Sequence, residues 1–146
     1  MKPRADFRTA SPDSYKAMLA LSKYSGESGL EASLLELVKT RASQVNGCAF
    51  CLQMHTRDAR KLGETEERLH LLPAWREAGV YSPRERAALA WTEALTLLTD
   101  GHAPDEVYEE VRAQFSEEEI AKLTLAIAVI NSWNRIAVGL RFPIRP

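Results

Sequence analysis

The chain has 146 residues, of which 45% are hydrophobic and 27% are charged, and its formal net charge is -1 at pH 7. These values are typical of one globular domain, so a single domain over residues 1–146 is expected. The near-neutral charge gives no electrostatic reason to expect a nucleic-acid or anionic-membrane partner. Because the sequence shows neither a secretory signal nor an apolar run of membrane-spanning length, we expect no membrane association and a cytoplasmic location.

Helical periodicity runs through the whole sequence, and no segment shows the alternating polarity of a strand, which predicts an all-α fold. Caps and glycine breaks divide the chain into about seven helices. They are expected at about residues 12–24, 30–45, 48–62, 65–75, 83–98, 104–114 and 117–139. Ser11, Ser82 and Ser116 are the predicted N-caps of three of them. The tail 141–146 contains two prolines and is expected to lie extended on a surface.

Both cysteines of the chain lie in one short segment, followed by a histidine. If this segment is helical, Cys48, Cys51 and His55 are spaced so that their side chains share one face. The preceding Asn46-Gly47 places Cys48 at or near a helix N-terminus, where backbone N–H groups favour a thiolate. Two thiols and an imidazole base suit a thiol peroxidase cycle of attack on peroxide, disulfide formation and reduction by an outside dithiol.

Two other interpretations of the cysteine segment stay open at this point. The thiols could be buried packing residues, with His55 a surface residue. Alternatively, the two cysteines and His55 could bind zinc, with a fourth ligand from His70, His102 or a carboxylate. Structural zinc sites usually have a second close pair of ligands, which this sequence lacks. We therefore expect no metal and no other cofactor, with His70 and His102 at the surface.

Four polar residues occupy unusual positions on the predicted helices. Glu36 falls opposite the apolar side of its helix, so it is solvated unless the cysteine helix or a partner subunit covers it. Arg41 falls near the apolar stripe and is expected to find a carboxylate, reach the surface or line an interface. Asn131 and Asn134 lie on an apolar face and need hydrogen-bond partners. We expect them to tie down loops or neighbouring subunits rather than to line the thiol site.

Eleven residues separate Glu36 from Cys48, and the pattern Glu36-x11-Cys48-x2-Cys51-x3-His55 resembles the AhpD-like alkylhydroperoxidases of the carboxymuconolactone decarboxylase superfamily. The flanking segments that strengthen this resemblance are residues 36–48, 54–60, 82–89 and 131–135. It covers a core of about residues 12–98, which helices at about 104–139 would complete. The resemblance implies an all-helical AhpD-like bundle that forms a homotrimer, or a homohexamer built from dimers.

The resemblance also implies an activity, namely reduction of organic hydroperoxides in antioxidant defence. In this mechanism Cys51 attacks the peroxide, Cys48 is the resolving and more exposed thiol, and Glu36 and His55 form a proton relay. An external dithiol, either a lipoyl protein or a thioredoxin-like protein, would supply electrons, and a peroxiredoxin is a further expected partner.

One departure from the resemblance leaves other functions open. The best-studied peroxidases of the family have a histidine where this chain has Phe50, which implies a shorter relay. A lyase of the decarboxylase type and a non-catalytic, oligomeric redox-sensing protein are the alternatives. The decarboxylase branch does not use a Cys-x-x-Cys pair, so the two cysteines favour redox chemistry.

Overall fold

The computed structural model describes residues 1–144, and the regular structure in this range is entirely helical, which confirms the predicted fold class. A short 3₁₀ turn lies at Leu72–Ala74. The α-helices are α1 (Phe7–Ala10), α2 (Pro12–Gly26), α3 (Ala32–Val45), α4 (Ala49–Lys61), α5 (Glu66–Leu71), α6 (Pro83–Thr96), α7 (Asp105–Arg112) and α8 (Glu117–Leu140).

Capping boxes start α6 and α8, as their sequences predict. The Ser82 hydroxyl accepts a hydrogen bond from the N–H of Glu85, whose side chain accepts one from the N–H of Ser82. Ser116 and Glu119 make the same reciprocal pair before α8. Each box satisfies two N–H groups that a helix start otherwise leaves without partners. At α2, Ser11 occupies the cap position, but its hydroxyl bonds to Ser14 instead of to the backbone.

The structure differs from the predicted elements at three places. Helix α1 was not predicted, because its four residues show no periodicity; Asp6 caps it by accepting from the N–H groups of the next turn. The helix predicted at 65–75 ends at Leu71, since Pro73 cannot continue the backbone hydrogen-bond pattern. The tail was expected to lie extended on a surface, and Pro143 and Ile144 are exposed, but Phe142 packs onto Phe50. Arg145 and Pro146 lie outside the described residues.

Helix α3 lies at the centre of the bundle, in contact with α4, α6 and α8. Its leucines and Val38 are buried on several sides, so α3 has no broad face open to water. Helix α4, which bears the cysteine segment, packs on α3 and α8. This arrangement covers the polar side of α3 and carries Glu36 into the interior.

Helix α8 ends at Leu140, one residue beyond its predicted end, and is the longest helix among the described residues. By length and composition it could cross a membrane, contrary to the expectation that no segment could. In the described chain α8 packs against α2, α3 and α6, and its buried residues include Leu123, Ile127 and Ile130. Burial against three helices is the ordinary use of an apolar helix in the centre of a bundle.

Candidate active site

The turn between α3 and α4 places Cys48. Gly47 adopts φ +64°, a left-handed conformation that costs glycine little. The N–H of Cys48 donates to the carbonyl of Ser43 (3.0 Å), and the N–H of Gly47 donates to that of Gln44 (3.2 Å). These bonds form a Schellman motif, which ends α3 and turns the chain back at once into α4. Cys48 therefore becomes the N-cap residue of α4, as its sequence position predicted.

The two cysteines form a disulfide, with their Cα atoms 5.4 Å apart. The N–H of Cys51 points at the Sγ atom of Cys48, 3.3 Å away, as in an N-cap hydrogen bond. In the dithiol state this N–H and the helix N-terminus would stabilise a thiolate at Cys48. The pair is thus redox-capable by geometry, which is the arrangement that the spacing predicted.

The prediction that Cys48 is the more exposed thiol is wrong for the described chain. Cys48 and Cys51 are each only 1% exposed. Both sulfurs belong to a buried cluster with Ala42, Ile130 and Ala137, against which the Phe50 and Phe142 rings pack. The tail was expected to lie extended on a surface, and the packing of Phe142 against this cluster was not predicted. Access to either sulfur is therefore through cavities and not from an open surface.

Glu36 and His55 meet inside the protein. The Nδ1 atom of His55 lies 2.8 Å from one carboxylate oxygen of Glu36, and the Nζ atom of Lys39 lies 2.8 Å from the other. Glu36 is 9% and His55 7% exposed. Helix α4 covers Glu36, so one of the two conditions set by the sequence analysis is met. Because an ionised carboxylate only accepts, Nδ1 of a neutral His55 carries the proton and Nε2 remains as the basic nitrogen.

The pKa of Glu36 is held below its ordinary value. Burial by itself raises the pKa of this carboxyl, since a charge loses its hydration. The hydrogen bond from His55, together with the charges of His55 and Lys39, outweighs burial and lowers the pKa. Glu36 is therefore an anion at neutral pH, suited to orient the imidazole and to stabilise its protonated form.

One cluster of potential metal ligands occurs among the described residues. Glu36, His55 and Asp58 bring their ligand atoms within 4.8 Å of one another. Both carboxylates already have lysine partners, since Lys61 Nζ lies 3.0 Å from Asp58 and Lys39 pairs with Glu36. Ammonium groups at this distance oppose a bound cation, so the charge arrangement does not favour a metal centre. Asp58 follows His55 by one helical turn, a spacing that could have identified it from the sequence.

The other ligands considered for zinc do not join the cluster. The His70 side chain is 79% exposed and lies 4.0 Å from Glu66. His102 is exposed in the loop between α6 and α7, as expected. In the structure the two sulfurs are bonded to each other, so neither is a thiolate ligand.

An apolar cavity of about 320 Å³, here named the Cys51 cavity, opens beside the disulfide. Its chemistry-bearing residues are Cys51, His55 and Lys39. Helices α2, α4 and α8 and the tail supply the rest of its lining, which includes Tyr15, Leu19, Phe50, Met54, Ile130, Trp133 and Phe142. Such a lining accepts an alkyl or aryl group and places it against one sulfur and one imidazole.

A polar network behind the cysteines explains the two asparagines on α8. The Asn46 amide donates to Asn131 (3.0 Å) and to Asn134 (2.8 Å), and Asn134 in turn donates to the Ser43 hydroxyl (3.0 Å). Asn131 also donates to Thr96 on α6. The asparagines tie the α3–α4 turn to α8, as predicted, and so hold the residue that precedes Gly47 and Cys48.

Arg41 finds the carboxylate that its buried position requires. Its Nε atom lies 2.8 Å from Glu93 on α6, and Glu93 also accepts from Trp75 and Arg76. Burial raises the pKa of Glu93, but the hydrogen bonds from Trp75, Arg76 and Arg41 outweigh it and lower the pKa. This charge cluster joins α3, α6 and the 3₁₀ turn without contacting the Cys51 cavity.

Comparison with known proteins shows similarity in sequence and in fold. Residues 12–94 match the carboxymuconolactone decarboxylase family. The chain is 46% identical over 140 residues to an uncharacterized Bacillus subtilis protein, YdfG, covering 96% of this chain and 95% of that protein.

Two solved structures have the same architecture. One is a protein of unknown function from Agrobacterium tumefaciens, proposed to be the antioxidant defence protein AhpD. It has a TM-score of 0.95 and 47% identity, over 99% of this chain and 100% of that one. The other, an uncharacterized peroxidase-related protein with an AhpD core from Ralstonia eutropha, has a TM-score of 0.83 at 19% identity, over 94% and 74% of the chains. At that identity the second likeness concerns the fold alone.

Proposed function

The chain belongs to the carboxymuconolactone decarboxylase family and has the AhpD-like fold, and we propose that it is a thiol-dependent reductase of organic hydroperoxides. One observation carries the proposal. A Cys48–Cys51 pair lies beside an apolar cavity that also presents His55, whose other nitrogen is hydrogen-bonded to Glu36. Nucleophile, resolving thiol, base and orienting carboxylate are thus within one site.

The oxidative step begins from the dithiol. The Cys51 thiolate attacks the terminal oxygen of ROOH, the O–O bond breaks, and the alkoxide leaves as ROH with a proton from His55. Cys51 is now a sulfenic acid. The Cys48 thiol gives up its proton and attacks the sulfur of Cys51, which forms the disulfide, and the hydroxide leaves as water with that proton. An external dithiol then restores both thiols, so that one peroxide is reduced for each dithiol oxidised.

The burial of the site supports this chemistry in two ways. The apolar lining of the Cys51 cavity favours peroxides with a hydrocarbon body over hydrogen peroxide. The carboxylate of Glu36 keeps the His55 proton on Nδ1, which leaves Nε2 to exchange a proton with the sulfur or with the leaving oxygen. This chain has Phe50 where the best-studied peroxidases of the family have a histidine, which is consistent with a relay of two residues.

The two alternatives make different predictions. A decarboxylase-type lyase transfers no electrons to sulfur, so its activity on a lactone acid would survive replacement of either cysteine. A redox-sensing protein would be oxidised once, slowly, with a change in assembly. The buried hydrogen bond between His55 and Glu36, beside a substrate-sized cavity, favours catalysis over sensing.

The partners follow from the same proposal. A dithiol carrier of the lipoyl or thioredoxin-like kind supplies electrons, and a peroxiredoxin is a candidate recipient. The protein acts in the cytoplasm as a homotrimer or homohexamer. Exposed apolar residues on α2, namely Leu19, Leu21 and Tyr24, are available for such assembly.

A steady-state assay tests the function. Cumene hydroperoxide is supplied with dithiothreitol, and consumption of the peroxide is followed for wild type, Cys48→Ser and Cys51→Ser. Multiple turnovers in wild type, and loss of at least about 100-fold in Cys51→Ser, are expected. Turnover of peroxide at the uncatalysed rate by wild type, together with lactone-acid decarboxylation by both variants, would replace the proposal with the lyase.

A further inference from the structure

Two cavities meet at the disulfide, one at each sulfur. The Cys51 cavity contains Cys51, whereas a second cavity, of about 580 Å³, contains Cys48; we name it the Cys48 cavity. Within residues 1–144, neither cavity is lined by the other's cysteine. Phe50, Ala137 and Phe142 line both cavities and therefore form the wall between them.

The wall is made of two aromatic rings in contact. Phe50 and Phe142 pack edge to face, with their centroids 5.3 Å apart and an interplanar angle of 87°. Phe50 is fixed because it belongs to α4, between the two cysteines. Phe142 is fixed because its N–H donates to the carbonyl of Ala137 (2.9 Å), after a left-handed turn at Arg141, φ +57°. The wall thus rests on the end of α8 and not on a free tail.

The two cavities differ in charge. In the Cys51 cavity the ammonium group is that of Lys39, whose charge is paired with Glu36, and the other basic side chain is His55. The Cys48 cavity is lined by Arg4 and Arg141, and the described residues contribute no carboxylate to it. Arg4 uses one Nη atom for the carbonyl of Gly139, 3.0 Å away, but a guanidinium has five N–H donors. The Cys48 cavity therefore favours an anionic ligand.

We propose, on the basis of the peroxide chemistry above, that Phe50 and Phe142 keep oxidant and reductant apart. The hydroperoxide reaches Cys51 from the apolar side, and a small dithiol that carries a carboxylate reaches Cys48 from the arginine-lined side. The hydroperoxide and the dithiol then do not compete for one entrance. The alcohol product in the Cys51 cavity does not block the reduction of the disulfide.

The reductive step balances with a dithiol as the only co-reactant. One thiolate of the reductant attacks Sγ of Cys48, the protein disulfide breaks, and Cys51 leaves as a thiolate that takes up a proton. The second thiolate of the reductant attacks the reductant's own sulfur in the mixed disulfide. Cys48 then leaves as a thiolate, stabilised by the N–H of Cys51. The dithiol becomes a cyclic disulfide and loses two electrons and two protons.

Labelling of single-cysteine variants tests the separate entrances. Cys48→Ser leaves Cys51 as the one thiol, and Cys51→Ser leaves Cys48. Each reduced variant is treated with benzyl methanethiosulfonate and with 2-sulfonatoethyl methanethiosulfonate, and second-order rate constants are measured. Both reagents have the same reacting group, so the ratio of the two rates within a variant cancels the reactivity of its thiol.

The proposal predicts opposite preferences. The thiol of Cys51 favours the benzyl reagent, and the thiol of Cys48 favours the sulfonate. The ratio of the benzyl rate to the sulfonate rate is expected to be higher at Cys51 than at Cys48 by about tenfold or more. Arg141→Gln, placed in the Cys51→Ser background, lowers the sulfonate rate and leaves the benzyl rate unchanged. Ratios that agree within twofold in the two single-cysteine variants would overturn the proposal.

A wall mutation separates this effect from general reactivity. Phe142→Ala joins the cavities and brings the two ratios together, whereas Leu98→Ala, at an exposed position just after α6 and outside both cavities, leaves them apart. If Phe142→Ala does not fold, Phe50→Ala opens the same wall from α4. Preserved ratios in a folded wall variant contradict the role of the wall. Labelling needs no peroxide, so failure of the peroxidase activity and failure of the separate entrances are distinguishable.

Discussion

At the scale of single residues, the site depends on a buried carboxylate whose charge is held by its neighbours. Glu36 makes short contacts to His55 and Lys39 from its two oxygens, and helix α4 shields it from water. A carboxylate in this position aligns the imidazole and stabilises its positive charge as a proton moves. We therefore expect the proposed relay of Glu36 and His55 to be sensitive to loss of the charge on Glu36.

Replacing Glu36 by glutamine tests this point. Glutamine can still accept a hydrogen bond from His55, but it cannot stabilise an imidazolium. We expect the Glu36→Gln protein to fold and to be oxidised by cumene hydroperoxide about 10 to 100 times more slowly at pH 7. The rate is measured by rapid mixing and thiol trapping. Glu31→Gln is the control, since Glu31 pairs with Arg84 outside the cavity; equal slowing in both variants would contradict the relay.

At the scale of helices, the asparagine network fixes the position of the cysteine turn. Asn134 is 1% exposed and bonds to both Asn46 and Ser43, so it joins α8 to the end of α3. The turn that presents Cys48 follows Asn46 directly. Loss of this amide would loosen the turn as well as leave buried polar atoms without partners.

The corresponding prediction concerns stability. Asn134→Ala removes two buried hydrogen bonds and leaves a small cavity, and we expect a loss of about 2 to 3 kcal/mol in the free energy of unfolding. Ser132→Ala on the same helix removes only an exposed bond to the Ala128 carbonyl, and is expected to change stability by less than about 0.5 kcal/mol. Both are measured by urea unfolding. Equal stability of the two variants would show that the network does not hold the turn.

The sequence predicted most helices because their ends have strong local signals. The Ser82 and Ser116 boxes and the Gly47 turn need no tertiary information, and the i+3 and i+4 spacings put Cys48, Cys51 and His55 together. Helix α1 was missed because one turn has no periodicity. The helix predicted at 65–75 was too long because Pro73 was given too little weight.

The site was less predictable where distant elements meet. Periodicity alone placed Glu36 on a solvated side, because the sequence of α3 does not show that α4 covers it. Phe142 lies over ninety positions from Cys48, so nothing local predicts that the tail encloses the disulfide. The burial of Cys48 was missed for the same reason. Packing between distant segments, not local propensity, determines both results.

At the scale of the whole molecule, a buried carboxylate, Glu36, and a part-buried one, Glu93, link stability to pH. Glu36 and Glu93 each have a pKa held below the ordinary value of 4.5 by their hydrogen-bonded basic and N–H partners. The unfolded chain binds these protons at a higher pH than the folded chain does. Their stabilising contribution is therefore complete above the unfolded value and is lost as the pH falls through the folded values.

Denaturation at several pH values checks this prediction. Wild-type stability is expected to fall as the pH is lowered from about 5 to 3. Glu93→Gln should be less stable by about 2 kcal/mol at pH 7, because Arg41 and Arg76 lose their counter-charge, and its stability should fall less steeply with acid. Exposed Glu110→Gln is the control and should follow wild type. A Glu93→Gln slope equal to that of wild type contradicts the linkage.

The order of the two cysteines in the reaction is the central claim, and intact mass with peptide mapping tests it most directly. Reduced wild type, Cys48→Ser and Cys51→Ser are each exposed to a small excess of cumene hydroperoxide. We predict that wild type loses two hydrogens through a Cys48–Cys51 bond within seconds, and that Cys48→Ser accumulates a sulfenic acid at Cys51. A wild-type protein that stays reduced for many minutes, or a sulfenic acid that forms at Cys48 instead, would contradict the account.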